Sequence, residues 1–222
     1  MLMFFLIGSA SWCGTIVIPY DKATIQEGID VAESGDTVLV TRGEYSENIN
    51  YSGKTICIMG AEGKEVTVLR PANANISTVT IAGREGEGTE LSGFTITGGN
   101  LAHTVYVGNG ASALISNNIF SGNIPFGSYD YAAVAMACDT GLVVVKKNIF
   151  YDNGGISCVL ISNGKVDIRN NTFDANYAAV TSNISLTKMR NNIITGSGGI
   201  AVLGSYTILD YNDLWDNAQD YG

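Results

Sequence analysis

The sequence predicts an all-β fold: a single-stranded right-handed parallel β-helix, or solenoid, with a short N-terminal capping helix. Three observations lead there. An asparagine-bearing turn motif returns at intervals of 20 to 30 residues through the second half of the chain. Glycine is frequent (27 residues) and proline rare (3), as suits a chain that turns often yet keeps its backbone N–H groups for pairing. One amphipathic stretch with a capping signal precedes the repeats.

The repeat is legible when residues 91–96 (LSGFTI), 115–120 (ISNNIF), 145–150 (VKKNIF), 168–173 (IRNNTF), 189–194 (MRNNII) and 209–214 (LDYNDL) are aligned. A single template fits all six: apolar, polar, turn residue, usually Asn, any residue, apolar. It predicts a structural ladder of Asn118, Asn148, Asn171, Asn192 and Asn212. A second asparagine follows five residues on, at Asn123, Asn153, Asn176 and Asn217, with Ser197 in the remaining slot. No repeat of this length can bury its own core, so coils must stack at about 4.8 Å and pair with the coils above and below. Asparagine at the bend tolerates the left-handed conformation. Its amide can bond to the equivalent residue of the next coil. Phe120, Phe150 and Phe173, continued by Ile194 and Leu214, then stack inward. A leucine-rich repeat also carries an asparagine ladder, but its L-x-x-L-x-L consensus and its helical segments are missing.

Residues 24–27 (TIQE) form a capping box that opens a helix running to about Ser34, with Ile25, Ile29 and Ala32 on one face. Residues 37–40, 55–59 and 66–69 read as strands, with Gly43 as a turn. Further on, 159–161 and 166–168 read as strands joined by a turn at Asn163 and Gly164. Residues 1–14 look like a signal peptide, with an apolar core at 2–7 followed by small residues, and imply export. Residues 15–222 are then one β-helix domain, expected to be truncated at its C-terminus because no covering element follows Asn217. The apolar N-terminal run is too short to span a bilayer. A net charge of −9 argues against nucleic acid as a partner. Cys57, Cys138 and Cys158 lie in apolar strand-like runs without metal-ligand spacing and are expected as free, buried thiols.

Residues 23–40 (ATIQEGIDVAESGDTVLV) and 42–49 (RGEYSENI) resemble the opening of pectate-lyase-like right-handed β-helix proteins. Residues 91–99 and the Asn-Asn-x-Phe turns resemble their parallel β-helix repeats. The resemblance runs from about residue 20 to the end. It implies the capping helix, the first coil and the solenoid. Gly43, Tyr45 and Glu47 also resemble the GxYxE element of pectin methylesterases, but that family's paired aspartates and arginine have no match. Polygalacturonase and pectate lyase signatures are missing too. The element is therefore expected to be structural, Gly43 turning and Tyr45 packing.

Chemistry on such a scaffold projects from outward positions. Two residues before each ladder asparagine stand Ser116, Lys146, Arg169, Arg190 and Asp210. Three successive cations would stack about 5 Å apart. One outward position earlier, Asp167 falls beside Lys188. This strip could hold an acidic polysaccharide through Arg190, Lys188 and Asp167, with Arg169 or Lys146 as candidate catalytic base. The bland alternative is a solvated face whose charges Asp167 and Asp210 relieve. Tyr129, Tyr131 and Tyr151 are candidate sugar-stacking residues, as are Tyr177 and Trp215. Asp152, Asp174 and Asp216 recur at near-equivalent turn positions, either as turn formers or as Ca²⁺ ligands. His103, the sole histidine, has no nucleophile in its motif.

Three functions follow from this reading. The favoured one is an exported or cell-surface module that binds carbohydrate or adheres without catalysis. The alternative is a polysaccharide lyase or glycoside hydrolase acting on uronate polymer. An accessory role in metal-enzyme maturation ranks last, for want of His, Met and paired Cys ligands.

Overall fold

The computed structural model describes residues 13–222 except 100–101, 125–131, 156, 184–185 and 205–206, and only the backbone of 132–140, 186 and 207. The chain winds as a right-handed parallel β-solenoid of about eight turns. Each turn closes on three strand columns. The first holds Thr15–Ile18, Thr37–Val40, Cys57–Gly60, Glu90–Ser92 and Ala113–Ser116, then the second halves of Ala132–Lys146 and Ser157–Arg169, then Leu186–Arg190 and Thr207–Asp210. The second runs from Gly43–Ser46 and Thr67–Arg70 through Ile119–Ser121, Ile149–Tyr151 and Thr172–Asp174 to Asp213–Trp215. The third runs from Ile49–Asn50 through Val79–Ile81 and Val105–Gly108 to Gln219–Tyr221.

Alternation along the first column decides what is buried. Val38, Ile58, Leu91, Ile115, Val145, Ile168 and Met189 follow one another in register, and all face the core. Each contributes roughly 1.5–3 kcal/mol by leaving water. In the second column the rings of Phe120 and Phe150 stack at 4.9 Å, and those of Phe150 and Phe173 at 4.6 Å. Ile194 and Leu214 continue that column in register. The corner between Gly60 and Gly93 is glycine because a Cβ on Gly60 would collide with the Gly93 carbonyl.

The asparagines turn the corner between the first and second columns. Asn118 Nδ2 donates to Asn148 Oδ1 at 3.3 Å, and the Asn118 backbone N–H donates to the same oxygen at 2.9 Å. Asn148, Asn171 and Asn192 repeat the pattern onto Asn171, Asn192 and Asn212. Each Nδ2 also donates back to a carbonyl one rung earlier, those of Leu91, Ile115, Val145, Ile168 and Met189 in turn. A parallel row joins Asn123, Asn153 and Asn176 at the next corner. The left-handed residues are not the ladder asparagines, as expected from sequence, but their predecessors: Asn117, Lys147, Asn170, Asn191 and Tyr211, at φ 52–58°. The asparagine itself must turn its amide inward to bond two neighbouring rungs, so the preceding residue takes the bend.

The helix spans Ile25–Val31 and stops short of Ser34. Thr24 and Glu27 form the expected capping box. Ala32 is extended, and Lys54 Nζ takes the carbonyls of Ile29 and Asp30 at 2.8 and 2.7 Å, which ends the helix. Ile25, Ile29 and Ala32 are buried. A Cβ on Gly28 would press on Ile18 and Val38, so the helix lies close on the first strands. Gly43 is not a turn residue; it opens the strand Gly43–Ser46 because its N–H already pairs with the Val66 carbonyl. Asn163 and Gly164 do not form a tight turn either. One strand runs through them, bent at Gly164 (φ +116°). Pairing continues on both sides of this corner, with Ala137 opposite Asn163 and Leu142 opposite Lys165, so a bend suffices.

Candidate functional site

The outward residues of the first column form two parallel files. Leu114, Val144, Asp167, Lys188 and Ile208 follow one another in register in one file. Ser116, Lys146, Arg169, Arg190 and Asp210 do so in the other. Lys165 lies two residues before Asp167 on the same strand and the same face, level with Leu142. The register thus gathers Lys146, Lys165, Arg169, Lys188 and Arg190 on three adjacent strands. They are five of the chain's 12 cationic residues. No Lys or Arg follows Arg190, whereas Asp210, Asp213, Asp216 and Asp220 do.

Asp167 sits at the centre of this strip. Its Oδ2 accepts from Arg190 Nη2 at 2.9 Å and lies 3.3 Å from Arg169 Nη1. The Asp167 side chain is 17% exposed, those of Arg169 and Arg190 34% and 45%. Both guanidinium groups crowd one carboxylate oxygen, and Oδ1 is buried without a hydrogen-bond partner. Lys188 stands beside Asp167 in register, yet the carboxylate turns to the arginines. Asp210 stands next to Arg190, which points the other way, to Asp167.

Two shallow depressions lie on this face. One, of about 240 Å³, is lined by Leu142, Lys165, Val166, Asp167, Lys188 and Arg190. The other, of about 170 Å³, lies among Glu87, Gly88, Leu114 and Val144. Leu142 lines both. Neither Lys165 nor these aliphatic residues was singled out from sequence. Period-two alternation from Asp167, Lys146 and Ser116 would have found Lys165, Val144, Leu142 and Leu114.

Other candidates fall elsewhere. Tyr151 is exposed but belongs to the second column, between Ser121 and Asp174, on a different side from the cations. Trp215 is also in the second column. Tyr129 and Tyr131 lie outside the described residues. Asp152 and Asp216 occupy left-handed turn positions (φ 52° and 55°), each before an asparagine of the second row. Asp174 is one residue out of step, level with Tyr151 rather than Asp152. Among the described residues no group of three or more His, Cys, Asp or Glu is placed to hold a metal ion. His103 stacks on Tyr106 at 5.9 Å.

The cysteines depart in part from expectation. Cys158 is free and buried, and burial holds its thiol well above the usual pKa. Cys57 is free but only half-buried, because Ile56 and Ile58 take the inward positions and alternation turns Cys57 out, between Thr37 and Glu90. Burial first, then Glu90 and Cys13, raise its pKa. The side chain of Cys138 lies outside the described residues.

The GxYxE element has a structural role. Tyr45 Oη donates to the Thr41 carbonyl at 3.0 Å. The two carboxylate oxygens of Glu47 accept from the Ile25 and Gln26 N–H groups, each at 3.0 Å. Glu47 therefore fastens the capping helix by its unpaired N-terminal donors.

A family model described as the right-handed β-helix region matches residues 7–217. The chain belongs to that family. No curated protein is significantly similar to it in sequence. Among the described residues no helix is long and apolar enough to cross a membrane.

Proposed function

We propose that this β-helix protein is an exported, non-catalytic module that holds an acidic polysaccharide on its basic strip. The observation that carries the reading is the concentration of Lys146, Lys165, Arg169, Lys188 and Arg190 on three adjacent strands of a chain whose net charge is −9. Cations spaced by one rung, about 4.8 Å, suit a ligand with repeating negative charge, and export rests on the apolar run at residues 2–7. Arg169, paired with Asp167, is a poor general base, because a guanidinium keeps its proton in proteins. That weighs against the lyase alternative.

The test is titration with alginate, a polyuronate, and with uncharged dextran at low salt. The expected result is alginate binding that weakens as salt rises. The triple variant Lys165→Ala, Lys188→Ala, Arg190→Ala should lose roughly tenfold or more in affinity. Equal binding by the triple variant, or none by the wild type, overturns the reading. Release of unsaturated uronate would replace it with the lyase.

A further inference from the structure

We infer that the polymer on this strip is an acylated acidic glycan, with its acyl group seated in the depression between Leu114, Val144 and Leu142. The inference rests on the acidic-glycan reading and adds to it the class of substituent. One outward file changes character midway: Leu114 and Val144 are aliphatic on two rungs, then Asp167 and Lys188 are charged on the next two. The three rung steps cover about 14 Å, so a single linear ligand spans both halves. Leu142 lines both depressions and makes them one continuous surface.

Charge fixes which end of the ligand goes where. The cationic half is bounded by Lys165, Lys188 and Arg190. The aliphatic half has the exposed Glu87 at its edge and Glu90 next to Leu114 in register. Those carboxylates repel a uronate and accept a neutral substituent. Gly88 has no side chain and Leu142 is exposed, which leaves the aliphatic floor open to a short acyl chain. The hydroxyls of Thr89 and Ser112, which also line the depression, bond to the Gly86 carbonyl and the Leu142 N–H, so the floor selects chiefly by burial of CH₂ groups, each worth a fewfold in affinity.

The experiment compares alginate with the same preparation sparsely O-butyrylated, by calorimetric titration of the whole protein. The expected result is roughly threefold to tenfold tighter binding of the butyrylated polymer. Leu114→Ser, and separately the near-isosteric Val144→Thr, should bring that ratio close to one. Lys188→Ala should weaken both polymers and keep the ratio. Circular dichroism of each variant verifies the fold, and Val144→Thr carries the test if Leu114→Ser unfolds. Equal affinity for the two polymers in the wild type overturns the acyl inference and leaves the acidic-glycan reading standing. A ratio that survives Val144→Thr and a folded Leu114→Ser also overturns it. Binding of neither polymer removes both readings.

Discussion

The backbone N–H of Ser197 donates to Asn217 Oδ1 at 3.0 Å, while the Ser197 hydroxyl, buried in the same row, has no partner. Ser197 takes the place of an asparagine in the second row and is too short to continue it. A buried hydroxyl without a partner costs about 1–3 kcal/mol. Ser197→Asn should stabilise the protein by about 1 kcal/mol, read from the denaturation midpoint. Ser197→Ala should also stabilise, by up to about 1 kcal/mol, since it removes the orphaned hydroxyl and loses no hydrogen bond.

Asn171 is the converse case. Its Nδ2 serves the Val145 carbonyl and Asn192 Oδ1, and its own Oδ1 receives the Asn148 backbone N–H and Nδ2. Asn171→Ala strands buried groups on the neighbouring rungs. The expected loss is about 3 kcal/mol or more. Equilibrium unfolding in urea would measure it.

Glu47 joins the capping helix to the second column through the Ile25 and Gln26 amides. Glu47→Ala should free both amides at a cost of roughly 1–2 kcal/mol. The faster exchange should appear at these two amides in hydrogen-exchange spectra, while Leu91 and Ile115 stay protected.

Asp167 neutralises part of the strip. Asp167→Asn releases Arg169 and Arg190 and should tighten alginate binding severalfold. Asp210→Asn removes an equal charge at the end of the file and should do less. Stability should change by less than about 1 kcal/mol, because the arginine partners are substantially exposed. Parallel titrations and thermal melts of the two variants separate the effects.

Thiol alkylation should follow exposure and pKa. Cys13 is exposed and should react first. Cys57 should be slower, since burial and then Glu90 keep its thiol protonated above the usual range. A thiol with a raised pKa gains reactivity only as pH rises past the ordinary cysteine range. Cys158, buried and with its pKa raised further, should react only on unfolding. Mass spectrometry of a timed iodoacetamide reaction would rank all three.

The ladder and the phenylalanine stack were legible because both depend on spacing, and Asn118, Asn148, Asn171, Asn192 and Asn212 keep a constant offset from the apolar residues around them. The juxtaposition of Lys146, Arg169 and Arg190 followed from the same alignment. What did not follow were matters of direction. Sequence placed the left-handed bend on the asparagine, whereas the amide's two bonds push it one residue back. Tyr151 had to be projected around a corner, and it fell on another side. Glu47 caps a helix more than 20 residues earlier in the chain, a contact that no local pattern encodes. The turn expected at Gly164 gave way to a bent strand because its neighbours pair across the corner.

The direction of the amide rows has a mechanical consequence. Each ladder amide from Asn118 to Asn192 gives one proton back to a carbonyl of the rung before and the other to the amide oxygen of the rung that follows, and only the forward bond makes a rung lean on its successor for an acceptor. Tension applied at the carboxyl-terminal end would strip acceptors from the rung behind and unravel the solenoid stepwise, one coil per event. At the opposite end the helix, held by Glu47 and Lys54, resists the same pull.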